Sequence, residues 1–287
     1  MHPMHSTPAV RLLHITDLHI LPSAGATIYG TDSFESLRAV LGAAQALPEP
    51  PDLIVATGDL SEDGSSGSYR RLHQLLAGTG LPAHVIPGNH DAASELRRSL
   101  LGGSVQAGPV VEVGAWRIVL LDSQVPGQPH GLLDRAQLDL LASALDEDPD
   151  RPVLACLHHG PASYCPSSGC QLQNAAALLE LLESRANARG VICGHGHLEL
   201  ERAARHVKLF TTPSTCSQAW HAQLGAPVDH EDFWASHRYE PGRHGFRVLT
   251  LESGGEIESR VHWVTSATGD RPGPGSDPTG TGALDHS

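Results

Sequence analysis

The sequence predicts a single α/β domain, and three observations support this fold class. The chain has 287 residues, which is enough for one large domain with a buried core. Short β-branched runs alternate along it with amphipathic helical stretches. No apolar run approaches the roughly 18–20 residues of a membrane span, and no internal repeat or long linker divides the chain. We expect the domain to cover 1–264 and a Gly/Pro-rich disordered tail to follow over 265–287.

The β-strands are predicted from short runs of Val, Ile, Leu and Thr that are bounded by turn residues. Gly114 marks a tight turn between the fourth and fifth of them. The predicted strands cover 11–16, 53–57, 83–86, 110–113, 116–121, 153–157, 190–193, 207–211, 245–251 and 257–264.

Helices are predicted where apolar residues recur at helical spacing between polar flanks. Asp32 and Glu35 form a capping-box start for the first helix, and a pair of glycines ends the second. Asp91 or Ser94 is expected to cap the third. The predicted helices cover 32–47, 69–76, 94–101, 134–145 and 174–186.

The charge balance argues against nucleic acid as a partner. Lys and Arg number 19 against 32 Asp and Glu, which gives a formal net charge of −13. A chain this acidic disfavours a partner that is held by a basic, phosphate-binding surface. The first ten residues lack the pattern of a secretory signal, so we expect a cytoplasmic protein with no membrane partner. The five cysteines include no CxxC pair, which favours reduced thiols.

Metal-binding residue types cluster in five short motifs. The chain holds 19 histidines, and many of them follow the predicted strands together with Asp, Asn and Gly. Open α/β sheets present their ligand-binding residues just past the carboxyl ends of the strands. Each motif alone also occurs as a turn or a helix cap, but five of them in this position indicate a shared metal site. The motifs are Asp17-Leu18-His19, Gly58-Asp59, Gly88-Asn89-His90-Asp91, His158-His159 and Gly194-His195-Gly196-His197.

The order and spacing of these motifs resemble the calcineurin-like metallophosphoesterases. That family's pattern is Asp-x-His, Gly-Asp, Gly-Asn-His-Asp, a histidine at a strand end and Gly-His-x-His, and the resemblance covers roughly 10–263. It implies a four-layer α-β-β-α sandwich, in which two β-sheets lie between helices. A narrower resemblance, to the class III cyclic nucleotide phosphodiesterases, rests on three segments. They are Leu13-His14-Ile15-Thr16-Asp17-Leu18-His19, His158-His159 and Pro213-Ser214-Thr215-Cys216-Ser217-Gln218.

The resemblance implies a ligand set for two metal ions. Four imidazoles with oxygen ligands suit Mn, Fe, Co or Zn better than Ca or Mg. A carboxylate bridge can hold two such ions at about 3.5–4 Å. By the resemblance, one ion is held by Asp17, His19 and His197, the other by Asn89, His158 and His195, and Asp59 bridges both.

The ligand at the fourth motif is either His158 or His159. Adjacent residues that leave a strand are expected to point to opposite faces. We choose His158, because the family's ligand directly follows the apolar strand. His159 is then expected in the substrate pocket.

The resemblance also implies an activity, the hydrolysis of a phosphoric diester by a hydroxide that bridges the two ions. His90 acts as the general acid, and Asn89 orients the substrate besides binding metal. The narrower resemblance favours 3',5'-cyclic nucleotides such as cAMP, with the 5'-nucleotide as product. Relatives of this class often dimerise, so a homodimer is possible.

Two other functions remain open. One is a different hydrolase on the same site, namely a glycerophosphodiesterase, a broad phosphodiesterase or a phosphomonoesterase. The other is an inactive metal-binding interaction module. The irregular segment 212–244 is our candidate for a cap or substrate-facing loop, because long irregular segments within a domain are often functional.

Overall fold

Two six-stranded β-sheets form the centre of the fold. The computed structural model describes residues 7–161, 170–220 and 238–265. Its strands are β1 (Val10–Ile15), β2 (Leu53–Thr57), β3 (Ala83–Ile86), β4 (Val105–Gln106), β5 (Val110–Val113), β6 (Trp116–Leu120), β7 (Val153–Cys156), β8 (Ala188–Cys193), β9 (Leu200–Ala204), β10 (Val207–Thr211), β11 (Gln218–Trp220), β12 (Arg238–Glu240), β13 (Arg243–Leu251) and β14 (Ile257–Thr265). Its helices are α1 (Ser33–Gln45), α2 (Ser66–Gly78), α3 (Ala93–Ser99), α4 (Arg135–Asp146) and α5 (Ala175–Glu183).

Each sheet has a parallel centre. The first has the strand order β14-β13-β1-β2-β3-β4, in which β1 to β4 run parallel, β13 pairs antiparallel with β1 and β14 pairs antiparallel with β13. The second has the order β5-β6-β7-β8-β10-β9, in which β6, β7, β8 and β10 run parallel. Parallel strands end at one edge of their sheet, so residues that follow them along the chain are brought close together.

Three hydrophobic layers hold the sheets and helices together. Helices α1, α2 and α3 pack on the outer face of the first sheet, and α4 and α5 pack on the outer face of the second. The third layer lies between the sheets and includes Leu12, Trp116 and Phe210. Strand β1 illustrates the alternation, because Leu12 joins the layer between the sheets while Leu13 and Ile15 face the helices. The α-β-β-α sandwich implied by the resemblance is confirmed.

The predicted strands and helices all occur, but some local details differ. Asp32 caps α1 by accepting hydrogen bonds from the backbone N–H groups of Phe34 and Glu35, as expected. The expected cap of the third helix is wrong, since α3 begins after Ala92 with no side-chain cap. The short strands β4, β9, β11 and β12 were not predicted, because they are too short or too polar for a clear period.

The expectation of five reduced cysteines also needs correction. Cys170 takes part in a disulfide bond, whereas Cys156, Cys193 and Cys216 are free and buried.

Among the residues that the structure describes, no helix has the length and hydropathy needed to cross a membrane.

The candidate loop 212–244 divides into three parts. Residues 212–217 are buried, and β12 and the start of β13 close the segment. Its centre, 221–237, lies outside the described residues. The role of this segment as a cap stays a prediction. Of the predicted tail 265–287, Thr265 belongs to β14 and the residues from 266 onward lie outside the described part of the chain.

Candidate metal centre

The five predicted motifs meet at the carboxyl edges of the two sheets. Asp17, Asp59 and Asn89 follow parallel strands β1, β2 and β3 of the first sheet, while His158 and His195 follow β7 and β8 of the second. Residues of the two groups contact each other across the sandwich, as His158 does with Asp59 and Asn89. The nine predicted residues that meet there are Asp17, His19, Asp59, Asn89, His90, His158, His159, His195 and His197.

Five of these nine residues have a left-handed backbone. This conformation is costly for residues other than glycine, at roughly 1–3 kcal/mol each, and it concentrates at functional sites. The described chain holds two further non-glycine residues of this kind, Tyr29 and Arg205. The five with their φ angles are Asp17 (52°), His19 (46°), Asp59 (46°), His195 (67°) and His197 (47°). The strained backbone conformations are thus concentrated at the residues whose side chains point into the site.

Gly194 allows one of these close approaches. A Cβ atom at this position would overlap Thr16 Oγ1 and lie 2.7 Å from Asp17 Oδ2. Without the side chain, the loop after β8 can reach Asp17, whose carboxylate accepts a hydrogen bond from the backbone N–H of His195 at 3.0–3.1 Å. Gly194 therefore allows the loop after β8 of the second sheet to pack closely against Asp17, which follows β1 of the first sheet.

The first cluster of potential ligand atoms consists of Asp17, His19 and His197. His197 Nε2 lies 3.4 Å from Asp17 Oδ1 and 3.2 Å from His19 Nε2. The other nitrogens of both rings face acceptors, since His19 Nδ1 lies 2.7 Å from Glu62 Oε2 and His197 Nδ1 lies 2.8 Å from the Ser217 carbonyl oxygen. With the proton on Nδ1, each Nε2 lone pair points into the cluster, which is the arrangement of metal-binding histidines.

The second cluster joins Asn89, His158 and His195. His158 Nε2 lies 3.2 Å from Asn89 Oδ1, and its Nδ1 donates a hydrogen bond of 2.7 Å to the Thr57 carbonyl oxygen. The rings of His158 and His195 have centroids 5.0 Å apart.

Asp59 lies between the two clusters. Its Oδ2 atom is 3.4 Å from His158 Nε2 and 3.9 Å from His19 Nε2. Its Oδ1 atom accepts a hydrogen bond of 2.9 Å from the backbone N–H of His90. The Oδ2 atom of Asp59 thus faces both clusters, while its Oδ1 atom is held by the His90 backbone.

His158 and His159 both point into the site, so the expectation that they face opposite ways is wrong. Their ring centroids lie 4.8 Å apart, and the His159 ring is 4.6 Å from that of His195. Strand β7 ends at Cys156, so the alternation of a strand no longer applies two residues later. His159 Nδ1 lies 2.9 Å from Ser123 Oγ, while its Nε2 is buried without a hydrogen-bond partner among the described residues.

The two buried carboxylates attract positive charge. Asp17 and Asp59 are 0% and 2% exposed, and among the described residues they form ion pairs with histidines alone. Burial opposes ionisation of Asp17, but the charge of His197 prevails and brings the pKa of this carboxyl to about 2. Burial likewise opposes the charge on His158, and Asp59 beside it raises the pKa of this histidine to about 9. Buried carboxylates with this preference suit a bound cation.

Glu62 is a site residue that the sequence reasoning missed. Its Oε2 atom lies 2.7 Å from His19 Nδ1 and 3.3 Å from His90 Nδ1. The signal for it was a carboxylate three residues after Asp59 in the same loop. The His90 side chain keeps 33% of its surface exposed, so it lines the open side of the site.

Asp91 supports the loops and is not a helix cap. Its carboxylate accepts hydrogen bonds of 2.8–3.0 Å from the backbone N–H groups of Leu60, Ser61 and Gly88, and from the hydroxyl of Tyr69 at 2.9 Å. The loops that carry Asp59 and Asn89 are thus fixed to one buried carboxylate.

The segment Pro213–Gln218 lies beneath the first cluster. Ser214 Oγ donates a hydrogen bond of 2.7 Å to the backbone carbonyl of Asp17, and the Ser217 carbonyl accepts from His197. The motif that suggested the narrower resemblance therefore supports two of the predicted ligands from below.

A family model described as calcineurin-like phosphoesterase matches residues 10–199. The chain belongs to the calcineurin-like phosphoesterase family. Members of this family of dimetal enzymes hold two divalent ions, and the donor set here fits that requirement. It combines imidazole nitrogens with buried carboxylate oxygens, and the buried Nε2 of His159 adds a further donor.

Several known proteins resemble this chain over most of its length. The 3',5'-cyclic adenosine monophosphate phosphodiesterase CpdA of Pseudomonas aeruginosa is 36% identical over 90% of this chain and 93% of its own length. The protein of the same name from Escherichia coli (strain K12) is 33% identical over 91% of this chain and 92% of its own. A dimetal phosphatase from Danio rerio shares the fold with a TM-score of 0.66 at 16% identity, over 90% of this chain and 99% of the other.

Proposed function

We propose that the protein is a two-metal phosphodiesterase that hydrolyses 3',5'-cyclic nucleotides, cAMP among them, to 5'-nucleotides. The observation that carries this proposal is the position of Asp59, whose Oδ2 atom faces His19 of one cluster and His158 of the other. A single carboxylate oxygen between two sets of imidazoles suits a pair of ions that share a ligand.

The ligand assignment follows from the two clusters. We assign the first ion to Asp17, His19 and His197, whose ligand atoms lie within 4.8 Å of one another. We assign the second to Asn89, His158 and His195, and both to Asp59. With four imidazoles in the set, the ions are Mn, Fe, Zn or Co. His159 reaches the second cluster as well, and we assign it to the substrate side of that ion.

When bound, two divalent ions neutralise phosphoryl oxygens and lower the pKa of the attacking water. The chain supplies the remaining functions. Thr57, Ser217 and Glu62 accept from the Nδ1 atoms of three histidines and so fix the direction of each Nε2. Asn89 lies at the second cluster with its amide partly exposed, where it can orient the phosphate.

His90 is the residue that we assign as general acid. Its Nδ1 faces Glu62 at 3.3 Å, which leaves Nε2 to hold a proton on the open side of the site. In a 3',5'-cyclic nucleotide the P–O3' bond breaks, and His90 delivers this proton to the leaving 3'-oxygen. The backbone carbonyl oxygen of Glu62 also lies 3.3 Å from His90 Nδ1 and fixes the orientation of the ring.

The choice of cyclic nucleotides is supported by the relatives. Two proteins that are 33–36% identical over about nine-tenths of the chain bear the name cAMP phosphodiesterase. A cyclic nucleotide is a small anion, so two bound cations can attract it at short range although the chain as a whole carries −13.

The proposal is tested on protein that is stripped of metal, reloaded with Mn and counted for metal content. Four substrates are compared, namely cAMP, an aryl phosphodiester, a glycerophosphodiester and an aryl phosphomonoester. We expect cAMP to have the highest kcat/KM. His206→Ala is the matched control for substitution of a site histidine such as His90, because His206 is exposed and contacts the Arg185 carbonyl far from the site.

Two results would contradict the proposal. Hydrolysis of another diester or of the monoester with poor turnover of cAMP would leave a metal-dependent esterase with a different substrate. Two bound ions with no turnover of any ester would indicate an inactive metal-binding module.

A further inference from the structure

Two tyrosine rings stack beside the first cluster. The rings of Tyr29 and Tyr239 have centroids 3.7 Å apart and planes inclined by 18°. The Tyr239 ring meets the ring of His197 edge-on, with centroids 5.7 Å apart. An aromatic stack therefore continues outward from a residue that we assign as a metal ligand.

Tyr29 occupies a position that tyrosine does not favour. The turn from Ile28 to Thr31 is closed by two backbone hydrogen bonds of 2.9 Å, and both of its central residues are left-handed, Tyr29 at φ 51° and Gly30 at φ 77°. Turns of this kind favour Asn, Asp or Gly at the first central position. An aromatic residue there adds strain that the turn itself does not need.

Tyr29 is also exposed. With 39% of its surface accessible, it is one of two large apolar side chains that the described chain leaves exposed, the other being Leu132. One face of the Tyr29 ring is covered by Tyr239. A strained, exposed aromatic ring beside a metal site is typical of a residue that contacts a ligand.

We propose that the Tyr29–Tyr239 pair binds the nucleobase of the nucleotide by stacking. This inference rests on the proposed function. A cyclic nucleotide has a phosphodiester and a base, and each part needs its own kind of binding site. The phosphodiester requires the cations, and the planar base requires an aromatic surface beside them. Every base has a π-face, so stacking tolerates different bases, and the pair accepts cyclic AMP and cyclic GMP alike.

The test compares substrates with and without a base. Tyr29→Gly removes the ring, and glycine adopts the positive φ of this position easily. Tyr29→Phe keeps the ring. Wild type and variants are assayed on cAMP and on methyl riboside 3',5'-cyclic phosphate, which lacks the base. We expect Tyr29→Gly to lower kcat/KM for cAMP by roughly 5- to 150-fold, the range for loss of one base–aromatic stack. The base-free substrate is unaffected, and Tyr29→Phe stays within about twofold of wild type on both.

An equal loss on both substrates would overturn the inference, because it would show that Tyr29 merely supports the loop. No loss on cAMP would overturn it as well. Calorimetric titration of the Mn-loaded proteins with AMP and with ribose 5-phosphate gives a readout that needs no turnover. Selective weakening of AMP in Tyr29→Gly supports the stacking site even if cAMP is not hydrolysed, which separates failure of this inference from failure of the proposed function.

Discussion

The carboxylate of Glu62 lies 2.7 Å from Nδ1 of His19. A carboxylate behind a metal-binding histidine fixes its tautomer and makes Nε2 more basic. Glu62 also lies 3.3 Å from His90 Nδ1, so one side chain connects the first cluster to the residue that we assign as general acid.

Glu62→Gln should weaken both metal binding and catalysis. Loss of such a partner lowers metal affinity or activity by roughly 10- to 100-fold. The affinity is measured by competition with a chelator, and kcat at saturating Mn. Glu49→Gln is the matched control, because Glu49 pairs with Arg11 on the surface. Equal affinities in the Glu62→Gln variant and in wild type would show that Glu62 has no such role.

His90→Ala should lower kcat strongly while metal content stays at two ions per chain. The backbone N–H of His90, which donates to Asp59 Oδ1, is retained in this variant, so the shared carboxylate keeps its orientation. Removal of a general acid lowers kcat by about 10²- to 10⁴-fold. Elemental analysis and steady-state kinetics on one preparation provide the check, and loss of metal would mean that His90 is a structural residue.

Asp59→Asn should lose bound metal as well as activity. The amide cannot share one anionic oxygen between the two clusters, so we expect fewer than two ions per chain together with loss of activity. Circular dichroism controls for folding. Full activity with two ions bound would refute the assignment of Asp59 as the shared ligand.

Tyr69→Phe should destabilise the fold without touching the clusters. The buried Tyr69 hydroxyl donates to Asp91 and accepts from the backbone N–H of Ala92. The variant leaves this N–H without its partner, for which we expect a loss of about 1–3 kcal/mol in the free energy of unfolding. Urea denaturation measures it as a lower midpoint at constant m-value. An unchanged midpoint would show that the Tyr69 hydroxyl does not stabilise these loops.

Stability should fall in mild acid because of His14. Its ring lies between Thr57 Oγ1 at 2.8 Å and Thr212 Oγ1 at 2.6 Å. Burial, and then the charge of Arg247, lowers the pKa of His14 from 6.5 to about 3. Between these values the unfolded chain binds a proton that the folded chain does not. The stability contribution is therefore complete above pH 6.5 and is lost as the pH falls toward 3, by about 1.4 kcal/mol per pH unit.

The variant His14→Gln isolates this contribution. Its unfolding free energy should depend less steeply on pH than that of wild type between pH 6.5 and 5, because one titrating group is missing. Chemical denaturation at several pH values gives both curves. Parallel curves would show that His14 does not carry the effect.

The meeting of the candidate ligands could be predicted from the sequence because these residues follow parallel strands. Asp17, Asp59 and Asn89 come after β1, β2 and β3, and the shared edge of the sheet brings them together whatever the details of the loops. The layering was implied by the family resemblance, and the alternation in β1 agrees with it.

Contacts that depend on loop geometry could not be predicted. The shared direction of His158 and His159 arises because β7 ends before them. The approach of Tyr29 to Tyr239 joins a turn near the N-terminus to a short strand late in the chain. Neither follows from periodicity, which describes positions within strands and helices.

On the proposed function, catalysis needs two ions in one shared site. Titration of metal-free protein with Mn tests this need when kcat/KM for cAMP and the amount of bound metal are measured at each point. We predict that activity rises to its maximum at two ions per chain and that 5'-AMP is the product. Full activity at one ion per chain or without metal would contradict the account.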